Sequence, residues 1–307
     1  MGRPNKFSAI QFTGKKIIAV ELVHRGDEFE LTSITEREGS ENYSMLLASV
    51  SKGDTDLTQK LEDDLKSIRK HAGIDAPNIS FCLDSRWVFI HSFPLDENLS
   101  EPERADQINW EFSNYLTPSE HEDYVSAAAS LEQLPDCHAS VVLTASARRE
   151  LIALFRHVTS RLGLQLSIID VDHFGAEHSL RWNYPEIEQE VVSLFGIKSN
   201  RLDASSFQNG RPVEYRWGEL ANGNLSQGLL DQLLTTNSNR KPATKRAFIY
   251  GEKDGTPNLP RFDKEHAPPV EVLNPLRRVN LPRRLRRLDP VSAHRYAPAI
   301  GLAMRES

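Results

Sequence analysis

Apolar and polar positions alternate in three runs near the start of the chain, residues 7–12, 16–23 and 28–35, separated by Thr13-Gly14-Lys15 and Arg25-Gly26-Asp27. A period of two broken by glycine-centred turns predicts a three-stranded antiparallel meander. From Leu57 the period changes. Leu57, Leu61, Leu65 and Ile68 recur at helical spacing, and Gly73 supplies a stop. Apolar runs at 79–83 and 86–95 predict two more strands, and Ser100 with Glu103 has the spacing of a capping box that opens a helix carrying Ile108, Phe112 and Tyr115. Strands at 124–128 and 139–145 complete a β-α-β-β block. Next come a helix over 148–162 ended by Gly163, a strand over 164–171 and a helix over 172–182 with Asp172 as N-cap, closed by Pro185.

The second half repeats the opening. Runs at 190–197, 201–207 and 213–217, with Asn209-Gly210 between the last two, predict a second meander and hence a duplicated fold. The polar, Asn-rich stretch 235–244 reads as a loop, 245–250 and 270–272 as short strands, and 292–305 as a closing amphipathic helix. The resulting division is a first domain at 1–185 with an inserted subdomain at 77–145, a second domain at 186–289, and a closing helix at 290–307 that returns to the first domain.

Composition narrows the function. With 39% hydrophobic and 26% charged residues, 307 residues can bury two cores. A net charge of -6 lacks the broad basic footprint of a nucleic-acid binder. The longest apolar runs, such as 17–20 and 141–143, fall far short of the roughly 20 residues that span a bilayer. Residues 1–6 are polar and lead straight into a strand, so no export signal is expected. Cys82 and Cys137 sit in strand-like contexts and read as buried free thiols of a cytoplasmic protein. Asp170, Asp172, His173, Glu177 and His178 match no standard metal-ligand spacing and read as structural, and Trp87, Trp110, Trp182 and Trp217 read as core or cleft-edge residues. No nucleophile elbow is present, and Gly14-Lys15 lacks the upstream glycine of a Walker A loop. The strongest local charge bias is Arg277, Arg278, Arg283, Arg284, Arg286 and Arg287. It reads either as a docking segment for an acidic partner or anionic lipid headgroups, centred on the last four, or as a connector whose arginines pair with the acidic excess.

Four stretches, in order, carry a family resemblance: Ile17-Ile18-Ala19-Val20-Glu21-Leu22, then Ile108-Asn109-Trp110-Glu111 through Tyr115-Leu116, then Val270-Glu271-Val272-Leu273-Asn274-Pro275-Leu276, then Tyr296-Ala297-Pro298-Ala299-Ile300-Gly301-Leu302-Ala303-Met304-Arg305. Together they resemble the PilM family of type IV pilus assembly proteins, relatives of FtsA and actin. The resemblance implies an α/β, actin-like (ribonuclease H-like) two-domain fold with an inserted β-α-β-β subdomain, and a reduced outer subdomain in the second half because residues 217–245 are few. It implies a cytoplasmic scaffold held at the inner membrane through a PilN-like partner, whose cytoplasmic peptide would sit beside the insert, near 79–145. Pilus motor components and a homodimer are further partners that it implies. Competing readings are an ATP-dependent switch of the same fold, a GspL-like cytoplasmic domain of type II secretion, disfavoured because no membrane segment precedes Ser307, and an FtsA-like filament.

The resemblance also locates a nucleotide site. Actin-like ATPases clamp phosphates between two hairpins, each needing an Asp for the metal and a Gly where backbone approaches phosphate. In the first, Gln11 replaces the expected Asp, Thr13 replaces the first Gly, Gly14 is displaced by one, and Lys15 and Lys16 replace small hydroxyl residues. In the second, Leu194-Phe195-Gly196 replaces Asp-x-Gly, and on the adenosine side Glu252 follows Gly251. An amide and an aliphatic side chain do not supply the anionic oxygens that magnesium prefers. The expectation is a pseudo-ATPase with no catalytic residue and no cofactor, with ATP and magnesium as the minority reading and Lys15-Lys16 as a solvated hairpin tip.

Overall fold

A computed structural model describes residues 5–116, 122–134, 138–220, 244–252, 268–289 and 292–305. The first meander forms as expected, from β1 (Asn5–Thr13), β2 (Lys16–Arg25) and β3 (Glu28–Glu38). Its two turns place Gly14 and Gly26 at φ 62 and 63, a region open to glycine at little cost. β4 (Asn78–Leu83) and β8 (Gln165–Val171) add in parallel, and β14 (Val279–Asn280) joins the far edge, giving the order β14-β3-β2-β1-β4-β8.

Helices cover both faces of this sheet. After α1 (Tyr43–Leu46), α2 (Thr55–Ala72) opens on Asp54, whose carboxylate accepts from Leu57 N at 2.9 Å, and ends on Gly73 in the left-handed region. Its Leu57, Leu61, Leu65 and Ile68 pack with Phe12, Phe81 and Phe155, the last from α4 (Arg149–Arg161). On the opposite face, Ala9, Ile18, Val20 and Phe29 pack against α6 (Ala297–Met304). The closing segment differs from expectation. A 3-10 turn, Ala293–Tyr296, precedes α6, and all eight helical residues are buried, so the helix is apolar all round rather than amphipathic. It crosses α5 (Asp172–Asn183) at backbone contact, where a Cβ on Gly301 would lie 1.9 Å from Gly175 O.

Between α2 and α4 the chain builds an insert of β5 (Val88–Asp96), α3 (Glu101–Ser113), β6 (Tyr124–Leu134) and β7 (Ala139–Arg148), with antiparallel order β5-β7-β6. The Ser100–Glu103 capping box is present. β4 hydrogen-bonds to β1 and β8. It therefore belongs to the main sheet, and the insert's own sheet starts at Val88 rather than at 77 and runs to Arg148 rather than 145.

The second half contains β9 (Val191–Ile197), β10 (Arg201–Gln208), β11 (Arg211–Glu219), β12 (Arg246–Gly251) and β13 (Val270–Val272), ordered β11-β10-β9-β12-β13. Strand β9 pairs antiparallel with β10 and parallel with β12, as β1 does with β2 and β4. That shared topology is the duplication expected from the two meanders. β14 pairs with β3 through Val279 and Phe29, so the chain rejoins the first sheet ahead of residue 290. The loop expected at 235–244 lies outside the described residues save Thr244, as does Cys137. Cys82 is a buried free thiol, its ionisation disfavoured by burial.

Candidate functional site

The two duplicated hairpins face one another across the cleft between the halves. Strand alternation puts Gln11 on the face of Ala9, where it is buried. Its Nε2 is 3.5 Å from Thr13 Oγ1, and its Oε1 has no partner among the described residues. The Gly14 amide, which an anion would need, donates instead to Ser44 Oγ at 2.6 Å. Lys16 pairs with Glu36 at 2.5 Å, and the Lys15 carbonyl accepts from Gly39 N at 2.7 Å.

On the other side, Leu194 is buried among Val192, Phe207 and Phe248. Gly196 is required by a protein neighbour, because a Cβ there would lie 2.5 Å from Tyr250 Oη. The Tyr250 side chain therefore packs directly on the Gly196 backbone. Tyr250 is fixed in turn by His173, whose Nδ1 is 2.9 Å from the phenol and whose Nε2 is 3.0 Å from Ser205 Oγ. Burial pushes His173 down to about 4, so the ring is neutral at pH 7 and exchanges hydrogen bonds with two hydroxyls. Gly251 packs against Ile197 and donates its amide to His294 Nδ1 at 3.1 Å.

The centre of the cleft is a charge network that sequence reasoning missed. Lys198, in the turn after β9, is buried, and its ammonium lies 2.7 Å from Asp172, 3.2 Å from Asp84 and 3.4 Å from Asp203. It also donates to Ser85 Oγ at 2.5 Å, and Ser85 passes its own hydroxyl hydrogen to Asp203 at 2.7 Å. Asp203 accepts further bonds from Arg201 at 2.8 Å and the Tyr215 hydroxyl at 2.7 Å. Arg86 holds Asp84 and reaches across the cleft to Ser199 at 2.8 Å and Glu252 at 2.7 Å. First-half groups (Asp84, Ser85, Arg86, Asp172) and second-half groups (Lys198, Ser199, Asp203, Glu252) are thereby tied into one cluster, buried at Asp84, Ser85, Asp172, Lys198 and Asp203 and open to solvent at Ser199.

The electrostatics follow from that arrangement. Burial alone would discharge Lys198, but three surrounding carboxylates hold its pKa above that of a free lysine. Burial likewise opposes ionisation of Asp203, and Lys198 with Arg201 overcomes it, keeping that carboxyl well below its usual range. Asp172 ends on the other side of the balance. Burial, with Asp84 and Asp203 nearby, pushes it up to about 7 despite Lys198. The carboxylate oxygens of Asp84, Asp172 and Asp203 thus converge on the protein's own ammonium. Among the described residues no group of His, Cys, Asp and Glu is arranged to hold a metal ion.

Of the clustered residues expected to be structural, Asp172 and His173 enter this network and Asp170 pairs with Arg305. Asp172 is the first residue of α5 rather than its N-cap, which is Val171, although its carboxylate still accepts from His173 N at 2.7 Å. Trp87 is buried and Trp182 packs on Phe29, whereas Trp110 and Trp217 are 58% and 47% exposed and so are not core residues. Arg283, Arg284, Arg286 and Arg287 lie away from the cleft, are exposed, and form no ion pair among the described residues, so the expected pairing with acidic groups is seen only for Arg277, with Glu186.

Three cavities border these elements. One of about 530 Å³ remains between the hairpin tips, lined by Thr13, Gly14, Lys16, Arg86, Ser199 and Glu252. Two others run beneath the insert. The first, of about 350 Å³, lies between β6 and β7 (Ala127, Ala129, Leu143), α5 (Phe174, Glu177, Arg181) and β11 (Tyr215). The second, of about 500 Å³, lies between Val125, Ala147, Ile152, Leu166 and Ile169. Ala127, Ala145 and Asp170 line both, so they form one groove under β6, which among the described residues is an edge strand.

A family model described as type IV pilus assembly protein PilM matches residues 9–233, most of the chain and both hairpins. The chain belongs to the PilM family. Among solved structures it is similar to a chain of the PilM-PilN type IV pilus biogenesis complex, with 15% identity, a TM-score of 0.72, and coverage of 97% of this chain and 98% of that one. It is also similar to the cytoplasmic domain of EpsL, an inner-membrane component of the Vibrio cholerae type II secretion system (8% identity, TM-score 0.51, coverage 87% and 89%). A Bacteroides thetaiotaomicron protein with an actin-like ATPase fold aligns at 11% identity over 90% of this chain and 93% of its own, with a TM-score of 0.49. The fold is that of the matched chain of the PilM-PilN complex. No curated protein matches in sequence. No helix among the described residues is long and apolar enough to cross a membrane.

Proposed function

We propose that this chain is a PilM-like scaffold of type IV pilus assembly that holds an extended cytoplasmic peptide of a PilN-like inner-membrane partner, and is placed at the inner membrane by it, without hydrolysing ATP. The observation that carries peptide capture is the groove beneath the insert. Its walls are mainly apolar, Arg181 and Glu177 line one part of it, the Asp170–Arg305 pair sits where the two cavities join, and among the described residues β6 is an edge strand along it. An exposed edge offers main-chain hydrogen bonds for affinity while side-chain pockets give selectivity. The test is a fluorescence-anisotropy titration with peptides covering the cytoplasmic segment of the partner. Ala127→Arg, which fills the groove, should abolish binding while the far-ultraviolet spectrum stays unchanged, and an unaffected affinity would place the peptide elsewhere.

Independence from ATP is supported by Lys198. A buried ammonium already neutralises the carboxylates at the cleft centre, and Tyr250 covers Gly196. The competing switch reading draws on the cavity at the hairpin tips, where Arg86 and Lys16 are cationic. Magnesium-ATP titration separates the two: the scaffold reading expects no heat and no thermal shift, whereas a micromolar dissociation constant would stabilise the native state by about 2.7 kcal/mol at a hundredfold ligand excess and would establish the switch.

A further inference from the structure

We propose that the arginine segment at 281–288 is a binding surface for anionic phospholipid headgroups. The inference is independent of the peptide groove. The segment reads Leu281-Pro282-Arg283-Arg284-Leu285-Arg286-Arg287-Leu288, single leucines alternating with paired arginines. Leu281, Leu285 and Leu288 pack against the core cluster under the first sheet. The backbone is fixed by the pairing of β14 with β3, by a 3-10 turn over Arg283–Leu285, and by a bond from Arg284 to the Thr32 carbonyl. With the leucines committed inward, the four arginines are presented outward from a preset backbone, and ordering them on a target loses little further chain entropy.

Local charge decides what they meet. None of the four has a carboxylate partner among the described residues, and Arg278 beside them stacks on Trp182 and donates to its carbonyl at 3.2 Å. The neighbouring carboxylates are already engaged: Glu28 accepts from Asn280, Glu30 faces Arg25 at 3.4 Å, and Asp289 accepts from Ser292. Among the described residues, six cations, Arg25 included, thus stand against four carboxylates, Asp27 included, on a chain whose net charge is -6. At about 0.1 M salt the screening length is about 10 Å, so an approaching surface feels this patch and not the distant acidic excess.

Geometry favours a lipid surface over an acidic peptide. The groove and cleft cavities lie elsewhere, and among the described residues the strand edge that adjoins the segment is the two-residue β14, too short to set a peptide's register. Guanidinium forks fanned from one loop suit a plane of interchangeable phosphates, each able to accept a bidentate bond.

Co-sedimentation of the full chain with vesicles tests this. Binding is expected to phosphatidylcholine vesicles containing about a third phosphatidylglycerol at about 0.1 M salt, with release at about 1 M and none to pure phosphatidylcholine. Each arginine removed should lower partitioning about fivefold. Because Arg284 also holds Thr32, two variants are compared: Arg283→Gln, Arg286→Gln, Arg287→Gln with Arg284 kept, expected to lose about a hundredfold, and the quadruple change, expected to lose more. A control with Lys52, Lys70 and Arg211 changed to Gln, all exposed and outside the segment and the strand it packs on, should bind as the parent does. Equal binding to both vesicle types, retention by the triple variant, or equal loss by the control would overturn the proposal. So would capture of polyglutamate without capture of anionic vesicles, which would assign the patch to an acidic protein.

Discussion

Replacing Lys198 with Met tests whether an internal cation holds the cleft. Methionine keeps an unbranched chain of similar length and removes the charge. With an effective dielectric of about 20, each carboxylate near 3 Å attracts the ammonium by about 5 kcal/mol, but most of this is cancelled by the several kcal/mol needed to bury each ion. The net loss is set by what remains, which is Asp84, Asp172 and Asp203 buried with one of their three cations gone. Breaking one partner from a buried ion group costs about 3–5 kcal/mol, which for a chain of this size lowers the melting temperature by on the order of 10 °C. The deficit should depend on pH. In the parent, Asp172 has a folded pKa raised to about 7, above its unfolded value, so its contribution is fully present below the ordinary carboxylate range and is lost as pH rises through about 7. Without Lys198 that carboxyl is raised further, so the variant should lie closest to the parent near pH 5.5 and furthest from it near pH 8. Scanning calorimetry at both values measures this, and Asp172→Asn in the Lys198→Met background should recover part of the loss. A melting temperature within about 2 °C of the parent at pH 8, or a deficit that does not change with pH, would refute the account.

Three further outcomes follow from the same geometry. Burial pushes Glu177 up to about 7, so its contribution too is lost as pH rises through about 7; Glu177→Gln should flatten the decline in melting temperature between pH 5.5 and 8, and an unchanged slope would exclude the assignment. His173 runs the opposite way: held down to about 4 by burial, it favours folding above its ordinary value and loses that contribution as pH falls towards 4, so His173→Gln should reduce the sensitivity of the parent to acid over that window, read by circular dichroism. Gly301→Ala places a methyl 1.9 Å from the Gly175 carbonyl, a backbone atom that cannot swing aside, and should yield insoluble protein or separate α6 from α5; soluble protein with the parent melting temperature would show that the two helices are not in backbone contact.

How far the chain could be read without its structure depended on whether a signal was local. The meanders, the Ser100 capping box and the Gly73 stop are decided by neighbours in sequence, and the structure contains all of them. The closing helix misled because His294, Arg295 and Arg305 flank it; the residues between, Ala297-Pro298-Ala299-Ile300-Gly301-Leu302-Ala303-Met304, are apolar or small on every face, which is the pattern of a helix enclosed by others. The cleft cluster was out of reach for a different reason. Asp84, Asp172, Lys198 and Asp203 come from four elements of two halves, and no spacing rule connects groups that meet only after both sheets close. One local clue existed: a buried position on β10 carries Asp203, flanked by apolar Leu202 and Ala204, and a buried acid demands a cation. Searching for that cation, rather than for the carboxylates missing at Gln11 and Leu194, would have led to Lys198. Two halves that meet through buried carboxylates need a positive charge at the seam, and Lys198, tethered to the end of β9, supplies it from within the chain.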